Sequence, residues 1–313
     1  MSPGLDLLVL GDVNPDLVLR GDVEPVFGQA ERLVEAAHLT IGGSGAIVAC
    51  GAARLGLAVA LCGVVGDDLF GRWIRDQLAS RGIGVEGLVV DAARPTGFTV
   101  VLSKPHDRAI LTHPGTISAL RGESVDPALL SEARHVHVSS YFLQRGLARD
   151  LPGLFDDAHA RGATTSIDPN WDPSETWDSG LLDVLTRTDL FLPNATEASR
   201  IAHVEQIDRA VLSLARSARI VVAKLGAEGA VAAQGSRLVP AAGIPADPLD
   251  TTGAGDSFDA GFLASWLAAE PLERCLATGN ACGSLSTRAL GGVDGQPSTD
   301  EVVAVAGEPA GSG

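Results

Sequence analysis

The chain has 313 residues, 45% of them apolar, and a formal net charge of −16 with only two lysines, Lys104 and Lys224. That length suits one large α/β domain with an appendage, or two small domains; the shortage of cations excludes a nucleic-acid partner, which needs a basic face against phosphate. Asp6 interrupts the start with no basic segment before it, and no apolar run reaches spanning length, so neither a signal peptide nor a membrane partner is expected. Cys50, Cys62, Cys275 and Cys282 lack CxxC spacing and read as buried apolar residues in a reducing, cytoplasmic compartment.

In chain order, Leu5 to Leu10 reads as a strand buried on both faces. Gly11-Asp12-Val13-Asn14-Pro15-Asp16 follows; Asn14 and Asp16 there suit either a ligand beyond the strand's carboxyl end or an Asx-Pro turn. Residues 17–20 and 32–38 look like strands of mixed polarity outside the core. Ile41 to Ala49 is a glycine-rich turn running into a helix. It fails as a dinucleotide fingerprint, lacking the third spaced Gly and a strand immediately before it in a βαβ unit. Val59 to Val65 is a buried strand, and Asp caps a helix reaching about Ser80. Residues 96–102 and 108–112 alternate around Pro105-His106-Asp107 as a hairpin.

Further on, His135 to Tyr141 is a strand; His135 and His137 share a face, but neither a carboxylate nor a third His joins them as a metal site would need. Thr164 to Ile167 is another strand, followed by Asp168-Pro169-Asn170-Trp171. After a short strand at 190–192, Asn194 and Glu197 have the spacing of a capping box. Strands at 220–223 and 230–233 flank the turn Lys224-Leu225-Gly226-Ala227-Glu228-Gly229. Residues 272–286 read as a helix and 306–313 as a fraying tail.

The most informative stretch is Asp250 to Leu263. Gly253, Ala254 and Gly255 lead into an amphipathic helix with Phe258, Phe262 and Trp266 at i, i+4 and i+8. The free N–H groups and dipole at such a helix start suit a phosphate. Asp256 in the first turn suits a base that takes the proton of a hydroxyl while those N–H groups hold the charge on a transferred phosphoryl group. The plain alternative is a helix cap behind a glycine turn. No Walker Gly-Lys-Ser/Thr follows.

This stretch resembles the C-terminal signature of the PfkB (ribokinase-like) carbohydrate kinases, and Gly42 to Ala46 resembles their N-terminal one. Asn194–Glu197 and Lys224–Gly229 also match family motifs, in family order. The resemblance implies a three-layer αβα sandwich over 1–313, with a largely parallel central sheet and a small β lid inserted at about 12–38 and 94–115. It implies an ATP-dependent kinase for a hydroxyl, expected to be primary, of a small sugar. Asp256 is then the catalytic base and Gly253, Ala254 and Gly255 the anion hole. Asn14, Asp16, Gly42, Gly43, Ser44 and Arg108 would meet the sugar. Asn194, Lys224, Gly226, Gly229 and Asn280 would meet ATP. Glu197 would orient hydrated Mg²⁺, and Asp250 and Thr252 match a monovalent-cation (K⁺) site.

The lid edge implies a homodimer. Three departures bear on the acceptor: Ile47 stands where relatives have Asn, Ser44 where ribokinases have Lys, and Ser139-Ser140-Tyr141 where they have a carboxylate. A nucleoside acceptor and a non-catalytic sugar-binding protein are the alternatives. A phosphosugar is disfavoured by the few basic residues, Arg108 and Lys104 excepted.

Overall fold

The computed structural model describes residues 4–104 and 107–307. Its elements in chain order begin with β1 (Leu7–Leu10), β2 (Asn14–Arg20), β3 (Ala36–Gly42), α1 (Ser44–Arg54), β4 (Val59–Gly66), α2 (Leu69–Ser80), β5 (Leu88–Asp91), β6 (Phe98–Lys104) and β7 (Asp107–His113). They continue with α3 (Pro127–Glu132), β8 (His135–Val138), α4 (Leu151–Ala160), β9 (Thr164–Ile167), α5 (Leu181–Leu185), β10 (Leu190–Phe191), α6 (Ala195–Ala202) and α7 (Ile207–Leu214). The C-terminal part holds β11 (Ile220–Lys224), β12 (Gly229–Gln234), β13 (Arg237–Ala242), α8 (Ala254–Leu267), α9 (Leu272–Ser286) and α10 (Thr299–Ala306).

Nine strands form one sheet in the order β13-β12-β11-β10-β9-β8-β1-β4-β5. It is parallel from β11 to β5 and antiparallel only where β12 and β13 add an edge. Every residue of β1 and of β4 is buried. Continuous apolar runs such as Leu7-Leu8-Val9-Leu10 form strands of this kind because helices cover both faces. One face packs with Phe155, Leu181 and Ile201; the other packs with Ile47, Phe258 and Phe262. This is the expected three-layer αβα arrangement. Among the described residues no helix is long and apolar enough to cross a membrane.

The second sheet, β3-β2-β6-β7, is the lid. Its second strand runs over 36–42 rather than 32–38. The later register lets Asn14 pair with Gly42 and Asp16 with Thr40. The glycine turn therefore does follow a strand directly, but a lid strand. The expected hairpin forms between β6 and β7; Pro105 and His106 of its turn lie outside the described residues, as do 308–313 of the expected tail, whose first residue, Ala306, closes α10. The strand read through Tyr141 stops at Val138, and Ser140 turns the chain in the left-handed region (φ 56°). All four cysteines are free and buried.

Candidate active site

The glycine turn at 42–43 is dictated by two neighbouring aspartates. A Cβ on Gly42 would fall 2.0 Å from the Asp16 carboxyl group, and Gly43, at φ 84°, lies against the Asp12 backbone. Asp12 replaces the missing cap of α1, accepting hydrogen bonds from Ser44 N (3.2 Å) and Gly45 N (3.1 Å). Asp16 accepts from Asn14 Nδ2 at 2.8 Å, and Asn14 also reaches Thr99 Oγ1 of the lid at 3.4 Å. Burial pushes Asp16 up to about 7, helped by the charge of Asp12.

Asp256 stands at the start of α8, whose N-cap is Gly253 at φ 70° with no capping side chain. A Cβ there would meet Gly292 at 2.7 Å. Ala254 N–H donates to Thr251 O at 3.3 Å, so the open donors of this first turn are those of Gly255 and Asp256. The Ser44 hydroxyl, which accepts from Asn170 Nδ2 at 3.2 Å, lies close enough to Asp256 to favour its ionised form. Burial raises Asp256 to about 7; the charge of Asp168 adds to this and that of Lys224 opposes it. A carboxylate poised near neutrality beside hydroxyl-binding groups and open N–H donors is suited to proton abstraction from an alcohol.

On the other side of Gly255 lies a cleft of about 350 Å³ lined by Lys224, Gly226, Gly229, Ile244, Pro245 and Asn280, among others. Asn280 holds its wall together by donating to Ala242 O at 3.0 Å. The Lys224 ammonium directs its hydrogen bonds at carboxylates: Asp168 Oδ2 (2.7 Å) and Asp259 Oδ1 and Oδ2 (3.1 and 3.0 Å). Those contacts match its three donors. The residue expected to reach ATP thus serves first as the counter-ion of a buried carboxyl pair.

Asn194 and Glu197 make the expected capping box, with Asn194 N donating to Glu197 Oε2 at 2.8 Å and Glu197 N to Asn194 Oδ1 at 3.0 Å. They stand beside the cleft rather than in its wall: Asn194 pairs with the Lys224 backbone. Burial lifts Glu197 to about 7, with Asp168 adding to the rise. Asp250 accepts from Thr252 N (2.9 Å), Thr252 Oγ1 (2.7 Å) and Gly291 N (2.9 Å). Arg108 reaches across from β7 to Thr252 Oγ1 (3.0 Å) and Thr251 Oγ1 (3.3 Å), so these bonds join the small sheet to the loop before α8.

Asp12 and Asp259 escaped notice as site residues. Asp12 is hidden in a glycine-rich run that also reads as a turn. Asp259 carried a usable signal, an acidic residue one turn below Asp256 on a helix otherwise buried along that stretch. Its partner Lys224 is 35 positions away, beyond the reach of any local pattern.

Three carboxyls raised to about 7 give an expected pH dependence of stability near neutrality. For Asp16, Glu197 and Asp256 the folded value, about 7, lies above the ordinary one. The stability each contributes is complete below its unfolded pKa and is lost as pH rises through the folded value. The buried histidines His135 and His137 act oppositely, but only below their ordinary 6.5. The ligand-free protein should therefore lose Tm between pH 6.5 and 8 in calorimetry; a rising or flat Tm over that window contradicts the placement of these groups.

Open helix-start donors, a carboxylate in the first turn and a nucleotide-sized cleft behind it define a phosphotransferase acting on an alcohol. The chain belongs to the pfkB family of carbohydrate kinases, whose family model matches residues 5–299, and it is an ATP-dependent sugar kinase. It is 32% identical over 305 residues to an ATP-dependent ribose-1-phosphate kinase of Halopiger xanaduensis, covering 96% of this chain and 98% of the relative. It is 33% identical to a fructokinase of Klebsiella pneumoniae, covering 94% and 97%. The structure of an Arabidopsis thaliana ribokinase complexed with ribose and ATP has the same fold, with a TM-score of 0.82 at 24% identity, covering 97% and 99%.

Proposed function

We propose that the chain transfers the γ-phosphoryl group of Mg·ATP to a hydroxyl of a neutral small sugar, with Asp256 as the base. The observation that carries this reading is the position of Asp256 at the N-terminus of α8, with Ser44 near on one side and the cleft at Gly255 on the other. Asn14, Asp16 and Ser44 would bind the sugar, with Gly42 and Gly43 leaving room for it. Lid closure, latched by Arg108, would exclude water. Gly226, Gly229 and Asn280 would border the nucleotide. Glu197 would hold Mg²⁺ through water, which needs few carboxylates, and the metal would supply charge neutralisation on the phosphates. A K⁺ ion near Asp250 and Thr252 would act by stiffening the anion loop.

A neutral acceptor is favoured because the groups bonded around Asp12 and Asp16 are Asn14, Thr99, Ser44 and Gly45, none of them cationic. A sugar 1-phosphate is the second reading, on the strength of the Halopiger relative. Coupled ADP release across pentoses, hexoses, pentose 1-phosphates and nucleosides, with and without K⁺, separates them. Turnover confined to phosphorylated acceptors or to nucleosides would refute the neutral-sugar reading.

We also propose a homodimer formed through the lid. Ile110 and Leu111 of β7 are 55% and 60% exposed, and Phe27 and Leu33 of the β2–β3 connection are 97% and 83% exposed; exposed apolar side chains of this size favour a partner surface over solvent. Light scattering should give the mass of two chains, and Phe27→Asp with Ile110→Arg should give that of one. A monomeric wild type would end the dimer proposal.

A further inference from the structure

Asn170, just past β9, holds its backbone in the left-handed region (φ 54°), which Asn tolerates better than most residues. Its polar groups are all engaged. Its N–H donates to Asp168 Oδ1 at 2.8 Å, and its Oδ1 accepts from Trp171 N at 2.7 Å. A backbone N–H only donates, so that second bond fixes which end of the amide is oxygen. The other end, Nδ2, therefore donates both of its hydrogens, to Ser44 Oγ at 3.2 Å and to Ser140 Oγ at 3.0 Å. One side chain thus joins the first residue of α1, the turn after β8 and the carboxyl end of β9.

A hydroxyl has a single proton, and both serines accept from Nδ2, so each aims its own proton elsewhere. Ser140 stands close enough to Asp12, and Ser44 to Asp256, for each to favour the ionised carboxyl. A second route ties Asn170 to the same place. Asp168, which accepts its N–H, also accepts from Lys224 Nζ at 2.7 Å, and a Cβ on Gly255 would lie 3.6 Å from that Nζ. Asn170 therefore grips the start of α8 from two sides, through a hydroxyl and through an ion pair.

We infer that Asn170 is a positioning residue for the transfer: its Nδ2 group holds the Ser44 hydroxyl with the proton toward Asp256, so that the base stays ionised. This rests on the reading of Asp256 as the base. The charged groups within electrostatic reach of Asp256 are Asp12, Asp16, Asp168, Glu197, Lys224 and Asp259. A neutral residue at 170 leaves all of them in place, whereas an aspartate there adds a charge to them.

The test uses the full chain with Mg·ATP and a neutral pentose or hexose from the acceptor panel, from about pH 5.5 to 9. Asn170→Gly is the informative loss, because glycine takes the left-handed backbone freely while removing the amide. It should lower kcat about tenfold, leave the KM for ATP within about twofold, and move the acid limb of kcat up by about half a pH unit, since the ionised carboxyl loses a donor. Asn170→Asp keeps the shape but offers only acceptors; the serine hydroxyls turn toward it and its charge adds to the shift, so the limb should rise by about one unit. Ser44→Ala should show the limb of Asn170→Gly. Combining the two should cost no more than about twofold beyond Ser44→Ala alone, because Asn170 then has nothing left to act through; independent losses would multiply to about a hundredfold. Multiplying losses, or an unmoved acid limb in the folded variants, overturns the inference; if neither Asn170 variant folds, an unmoved limb in Ser44→Ala does so. Asp256→Asn separates the two levels. If it stays active, it is the base assignment that fails; an inactive Asp256→Asn beside multiplying losses overturns the role of Asn170 alone.

Discussion

Asp256→Asn should lower kcat by roughly 10²–10⁴-fold, the range supplied by one general base, while the KM values for ATP and sugar change little. The amide keeps the shape of the side chain and an acceptor oxygen in the same place, so binding survives. What is lost is the group that takes the hydroxyl proton as the phosphoryl group arrives. In the wild type the same group should be visible in the pH profile of kcat/KM. A base is active only when ionised, and Asp256 is raised to about 7 by burial, by Asp168 and against Lys224. The rate should therefore fall tenfold per unit as pH drops below that value, and level off above it. A flat profile between pH 5.5 and 8, or an Asn variant with wild-type turnover, contradicts the assignment.

Lys224→Met should cost more in stability than any other single change at the site. The Lys224 side chain is 10% exposed, and Asp168 and Asp259 are 8% and 0% exposed. Removing the cation strands two carboxyls in the core, a loss of about 3–5 kcal/mol, or on the order of 10 °C in Tm for a chain of this size. Asp259→Leu added to Lys224→Met should recover a good part of it, because an apolar group then fills the space of a stranded acid. Activity offers a second reading: the charge that lowers Asp256 is gone, so the acid limb should move to higher pH. If Lys224→Met instead kept its Tm and limb and raised only the KM for ATP, Lys224 would be a phosphate ligand with a spare donor, contrary to its three carboxylate contacts.

The legible parts of this protein were those encoded by neighbours in sequence. The helix over 272–286 is read to the residue from its pattern, and the Asn194–Glu197 capping box is as spaced. The central strands announced themselves as short apolar runs because they are buried on both faces. The lid did not: its strands are half-exposed and mixed in polarity, so their register is weakly specified by pattern, and β3 lies four residues later than expected. β5 and β13, at the two edges of the large sheet, are half-exposed and carry only short apolar runs, Leu88-Val89-Val90 and Leu238-Val239, so they did not stand out as core strands. At the site, glycine turns and the acid at a helix start were visible; the long-range pairings were not. Lys224 read as an ATP contact because its partners Asp168 and Asp259 lie 56 and 35 positions away, and His135 and His137 showed no partners because their hydroxyls stand on another strand.

The most direct test of the account is to follow the γ-phosphate itself. The protein is incubated with γ-labelled ATP, Mg²⁺ and a neutral pentose or hexose drawn from the acceptor panel, and the products are separated. The account predicts label in a sugar phosphomonoester, formed only with sugar present and absent with Asp256→Asn. Label released as inorganic phosphate at the same rate without sugar, or retained in ATP whichever acceptor is supplied, would contradict it.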